Sequence, residues 1–161
     1  MNELGSKKLI VYLAGGLRSG WQDEVIEACP DVEFLNPRDA YLEAKESGEP
    51  EDPKDYVRRD VEWLRKCDVV FLFQESDLPE TANCSWELGY AKALGKLCIY
   101  VNQRVKPERY ASLLALTSNC YTNDLQEGIA WLMTLSRNLQ SCCEKFGLDI
   151  AYLKPPYEWL D

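Results

Sequence analysis

Three runs in this chain are apolar at nearly every position: KLIVYLA (Lys8–Ala14), DVVFLF (Asp68–Phe73) and LCIYV (Leu97–Val101). A strand with one wet face alternates polar and apolar residues, and these do not. They need cover on both faces, the condition of a parallel sheet layered between helices. The sequence between them supplies the helices. Lys54–Lys66 is strongly amphipathic, Asn83–Leu94 ends at Gly95, and Asp124–Phe146 is long. Shorter helices are expected over Gly20–Cys29 with Ser19 as cap, over Arg38–Glu46, and over Pro107–Leu116. Val32–Leu35, stopped by Asn36-Pro37, and Asn119–Thr122 bring the sheet to about five strands. Ser47–Pro53 (SGEPEDP) reads as a surface loop. With 161 residues and neither repeat nor linker, residues 1–161 are expected to form one α/β domain, with a C-terminal helix and tail from about residue 124.

Ligands of such sheets bind beyond the strand carboxyl ends, where strand order reverses. The loops after Ala14, Leu35, Phe73 and Val101 are therefore where chemistry is expected. Composition narrows the chemistry. The chain has no histidine, which removes Ser-His-Asp and Cys-His catalysis and the common zinc sites. Acid–base or nucleophilic work falls to carboxylates, Tyr, Lys or Cys, and no cofactor and no metal is expected. Eighteen Lys+Arg against 27 Asp+Glu give a net charge of −9, a field that repels nucleic-acid polymers and anionic membranes. A small anion remains bindable, because a local Arg and helix N-termini outweigh a screened distant field. The seven cysteines include no CxxC and mostly fall in apolar patterns, as reduced buried thiols do. No signal-peptide pattern precedes the first strand, and runs such as Val69–Phe73 are too short to span a bilayer. A cytoplasmic protein is expected.

Four places carry candidate chemistry. Gly15-Gly16-Leu17-Arg18-Ser19-Gly20 is a strand-to-helix turn that matches neither GxGxxG nor a P-loop. Its glycines serve an ordinary tight turn or the close approach of a ligand, and Arg18 points to an anion. Asp60 has Tyr56, Val57, Val61, Trp63 and Leu64 as helical neighbours, an apolar setting in which a carboxylate is costly unless used or paired with Arg58 or Arg59. Glu87 stands early in its helix, where it complements the dipole. It also shares a face with Cys84, Leu88, Ala91 and Leu94 and so is expected to point inward. Tyr12 ends the first strand with its hydroxyl in reach of the same edge. The tryptophans read as packing. Two inward carboxylates without histidine suit glycoside cleavage, with one as nucleophile and one as proton donor.

The segments YLAGGLRSGW (12–21), DVEWLRKCDVVF (60–71) and WELGYAKALGK (86–96), in that order, resemble the nucleoside 2-deoxyribosyltransferase family and its relatives, the nucleoside 5′-monophosphate N-glycosidases. The likeness covers roughly Leu9–Leu114. It implies a flavodoxin-like (Rossmann-like) three-layer sandwich and a covalent glycosyl-enzyme. By position Glu87 resembles the family nucleophile, Asp60 the carboxylate that protonates or holds the departing base, and Tyr12 the tyrosine that positions the nucleophile. Gly15, Gly16, Leu17 and Arg18 fall in the substrate-binding turn. The resemblance also implies a homo-oligomer, such as a homodimer, with a shared active site, Ser112 standing at the neighbouring subunit's contribution. The transferases carry an acidic residue six positions before the nucleophile, and here that position is Thr81. Arg18, Thr81 and Ser112 resemble the hydrolase set, which favours a 5′-monophosphate substrate. The loop Gln74–Cys84 is long for that subgroup, and Asn36-Pro37-Arg38 has no counterpart in either. Base exchange by transfer and a non-catalytic nucleotide sensor are the alternatives.

Overall fold

The structure, a computed structural model, describes residues 8–75, 82–103 and 111–146, and the side chains of all of them except Ala82, Ala111, Ser112 and 138–146. Strands β1 (Ile10–Gly15), β2 (Glu33–Leu35), β3 (Val69–Gln74), β4 (Leu97–Asn102) and β5 (Cys120–Thr122) form one parallel sheet in the order β2-β1-β3-β4-β5. Helices α1 (Trp21–Ala28), α2 (Pro37–Ser47), α3 (Pro53–Lys66), α4 (Ala82–Ala93), α5 (Ala111–Thr117) and α6 (Leu125–Phe146) lie between and after them. This is the flavodoxin-like order, as expected. Strand order reverses between β1 and β3, so their carboxyl ends open the crevice where such folds bind ligands.

The unbroken apolar runs divide between two cores by the two-residue period of a strand. Val11 and Leu13 of β1, with Val69, Phe71, Phe73, Ile99 and Val101, pack on Trp21 and Val25 of α1 and on Leu125, Ile129 and Leu132 of α6. Ile10, Tyr12 and Ala14, with Val70, Leu72, Cys98 and Tyr100, pack on Leu64 of α3 and on Cys84, Leu88 and Ala91 of α4. Tyr12 thus faces the α3–α4 layer, wholly buried. Asp68 ties the start of the sheet together, its Oδ2 accepting from the Ile10 amide at 2.9 Å. No helix among the described residues is long and apolar enough to cross a membrane.

The Ser19 cap fails for a local reason, while Asn36-Pro37 ends β2 at Leu35 as expected and has a second role. Asn36 caps α2, accepting from the Arg38 amide at 3.2 Å, and Pro37 opens the helix. Asp52-Pro53 does the same for α3, with Lys54 N donating to Asp52 Oδ1 at 2.8 Å. An X-Pro pair suits a helix start because the first turn has amides to spare. Ser19 does not cap α1. Gly20 holds the N-cap position at φ 85°, with no side-chain cap. The turn is closed instead by Trp21 Nε1 and Gln22 Nε2, which donate to the Gly16 carbonyl at 2.8 and 2.9 Å.

Candidate active site

Glu87 and Tyr12 meet at the switch point. Cys84, Leu88 and Ala91 bury one face of α4 against the sheet, and Glu87 comes one turn after Cys84, over β1. The Tyr12 hydroxyl donates to Glu87 Oε1 at 2.8 Å. Burial, then the charges of Glu87 and Asp60, hold the Tyr12 phenol well above its ordinary 10, so it stays a donor. Burial also lifts Glu87 from 4.5 to about 7. The Tyr12 hydrogen bond opposes this rise and the Asp60 charge adds to it. Oε1 is occupied by Tyr12, and Oε2 accepts nothing among the described residues.

Asp60 lies across from this pair on α3, with 15% of its side chain exposed. It is both in the site and paired. Arg59 donates to Oδ1 through Nε and through Nη2, each at 3.0 Å. The same guanidinium reaches Glu51 Oε1 through Nη1 and lies 5.0 Å above the Trp63 ring. Burial raises the Asp60 carboxyl, Arg59 opposes the rise, and Glu51 adds a little to it. The two carboxyls therefore keep a proton between them at pH values where exposed ones would hold none.

All three side chains line a cavity of about 620 Å³, within the roughly 300–1,000 Å³ usual for small-molecule sites. Gly15 and Leu17 of the glycine turn also line it. Gly16 and the exposed Arg18 do not. Gly15 is there for a steric reason as well: a Cβ would stand 2.4 Å from the Phe73 carbonyl oxygen and 2.9 Å from the Trp21 ring. Thr81 lies outside the described residues. Ser112 falls in the first turn of α5, its side chain likewise outside them. Sequence reasoning missed the far wall, built by Tyr41 and Lys45 of α2 with Glu51 and Tyr56. It also missed Asn83, one turn before Glu87, which lines both this cavity and an adjoining one of about 190 Å³ beside Trp86. The i−4 spacing to Glu87 was the available signal for Asn83, as it was for Tyr56 relative to Asp60. The wall on α2 had none. Trp86 departs from the packing expectation, being 53% exposed and stacked on Tyr90 at 5.1 Å.

The family profile described as nucleoside 2-deoxyribosyltransferase matches residues 11–152. The chain belongs to that family. The match runs well past the motif-bearing stretch that ends near Leu114 and takes in β5 and α6, which an amphipathic pattern carries with no motif. Among solved structures, the 2-deoxyribosyltransferase of the psychrotolerant bacterium Bacillus psychrosaccharolyticus is 19% identical over 73% of this chain and 88% of its own, with a TM-score of 0.56. The CMP N-glycosidase BcmB of Clostridium botulinum is 18% identical over 76% of this chain and 96% of its own, with a TM-score of 0.53. At these identities the likeness to each is one of fold. The comparison with curated proteins returned no match. The family's enzymes cleave or transfer at a glycosidic bond, and the two solved structures are described one as a transferase and the other as an N-glycosidase.

Proposed function

We propose that the protein cleaves the N-glycosidic bond of a nucleoside or nucleoside 5′-monophosphate through a glycosyl ester on Glu87. The observation that carries this reading is the Tyr12–Glu87 hydrogen bond of 2.8 Å at a cavity that Asp60 shares. Tyr12 fixes Oε1, and Oε2 attacks the anomeric carbon. The bond to the base breaks with its electron pair on the base, which takes a proton from Asp60. Water then opens the glycosyl ester, with the Asp60 carboxylate accepting its proton. The chemistry needs Glu87 ionised and Asp60 protonated; burial raises the proton affinity of both and their charges repel, so the pair holds a proton to higher pH than exposed carboxyls do.

The finer reading is hydrolysis of a 5′-monophosphate. It rests on the absence of an acidic residue at position 81, where it would repel a phosphate, and on the hydroxyl set Thr81 and Ser112 with Arg18 on the turn. Paired nucleosides and 5′-monophosphates, assayed for free base, test it. The monophosphate should win in kcat/KM by on the order of tenfold to a hundredfold or more, and Thr81→Asp should move the preference towards the nucleoside. A second reading, transfer of the sugar to another base, is favoured by the family profile itself. Faster capture by an added base than by water would establish it and overturn hydrolysis. If no nucleoside or nucleotide is cleaved while ligand binding persists, the protein is a sensor and the Glu87 chemistry is wrong.

A further inference from the structure

We propose that Arg59 is a positioning residue for Asp60, and that Glu51 completes the device by sharing the guanidinium charge. This rests on the reading of Asp60 as the proton donor. Two donors of one guanidinium converge on a single oxygen, Oδ1, both at 3.0 Å. Oδ2 makes no hydrogen bond among the described residues and is left to meet the substrate. A proton on Asp60 therefore sits on Oδ2, since Oδ1 already accepts two N–H groups. The planar guanidinium holds Asp60 Oδ1 with two arms and reaches Glu51 with the third in one rigid geometry, which a lysine ammonium on its flexible stem does not reproduce. Trp63 holds the guanidinium from below, and the third arm goes to Glu51. Arg59 and Glu51 are 20% and 28% exposed, so the triad is largely shielded from salt.

An arginine alone beside an acid works against its own purpose. It favours the carboxylate and strips the proton that the leaving base needs. Glu51 answers this: a second anion on the same cation lets Asp60 be aligned without being held ionised. The other groups facing Asp60 are Tyr56 on its own helix, Glu87 on α4, Tyr12 on β1, and Tyr41 and Lys45 across the cavity on α2. Among the described residues, Arg59 alone hydrogen-bonds to the Asp60 side chain.

The test titrates Asp60 by carboxyl-carbon NMR on the full chain, its signal assigned by loss in Asp60→Asn, and needs no turnover. Glu51→Gln should move the Asp60 midpoint down and Arg59→Gln should move it up. Arg59→Lys keeps the charge and loses the fork. It should leave the midpoint nearer the wild type yet slow cleavage of substrates with poor leaving bases by roughly tenfold to a hundredfold, sparing activated bases. Unmoved midpoints in both charge variants, or equal slowing across leaving groups in Arg59→Lys, overturn the proposal. Glu51 lies ahead of α3, so Glu51→Gln remains a folded test even if an Arg59 variant does not fold. Failure of the glycosidase reading looks different: the wild type then cleaves nothing, while the titrations still report on the clamp.

Discussion

A carboxylate that attacks carbon must be ionised, and Glu87 sits where ionisation is penalised. Its folded-state value near 7 stands above its ordinary 4.5. Between those pH values the unfolded chain has released the proton and the folded chain keeps it, so stability falls as pH rises through that window. Glu87→Gln removes the titration. It should raise the unfolding free energy by on the order of 1–3 kcal/mol at pH 8 and by almost nothing at pH 4, while turnover drops at least about a thousandfold. Denaturant melts at the two pH values, with assays alongside, check both halves. A variant that turns over like the wild type ends the Glu87 mechanism. The same charges set the rate profile. The rising limb of kcat/KM should lie near pH 7, should move to lower pH in Asp60→Asn, where the repelling charge is gone, and should move higher in Tyr12→Phe, where the supporting hydrogen bond is gone. Limbs that stay put in both variants would mean that some other group controls the rate.

At the scale of elements, two glycines hold helices and strands closer than any side chain permits. Gly15, at φ 148°, ends β1 against the Phe73 carbonyl. Gly15→Ala should cost about 2–4 kcal/mol, combining backbone strain with overpacking. Gly128 stands in α6, where alanine ordinarily stabilises a helix by about 1 kcal/mol. Here a Cβ would lie 2.5 Å from Val101 Cγ2 and 3.2 Å from the Phe71 ring. Gly128→Ala should therefore destabilise by about 1–3 kcal/mol, against the propensity rule. A melting temperature that rises would show that α6 can lift off the sheet. Much of this architecture was legible in the sequence, for identifiable reasons. β1, β3 and β4 are buried on both faces and so read as unbroken apolar runs. The start of α2 was legible to within one residue, but its cap was not, because Asn-Pro signals a stop and a start alike and only the partner of the Asn36 side chain decides. In the site, Glu87 and Asp60 could be picked out by residue type and helical spacing, and Tyr12 by its place near the end of β1. Glu51 could not: in a Gly-Pro-acidic stretch it looks like any solvated loop residue, and its partner Arg59 is eight positions away.

At the scale of the molecule, the α3–α4–α5 side carries large apolar groups in water. Val57, Trp86, Leu113 and Leu116 are each at least half exposed, and Val57 and Trp86 also line the smaller cavity beside Asp60 and Glu87. Exposed apolar groups gathered on one side are the usual make-up of a surface that a protein partner covers. We expect a homodimer or larger closed assembly that covers this side and brings Ser112 near a subunit boundary. Trp86→Ala should weaken association about tenfold or more. Sedimentation of a fully active monomer at assay concentration contradicts the expectation. The opposite wall of the large cavity has a different character. Apart from Tyr56 of α3 it comes from one continuous stretch, residues 37–51, whose helix α2 buries only Pro37. The reactive trio comes from β1, α3 and α4. Residues 37–50 can therefore be rewritten by mutation or recombination to reshape the cavity at little cost to the fold, while Glu51, tied to Arg59, marks where that freedom ends.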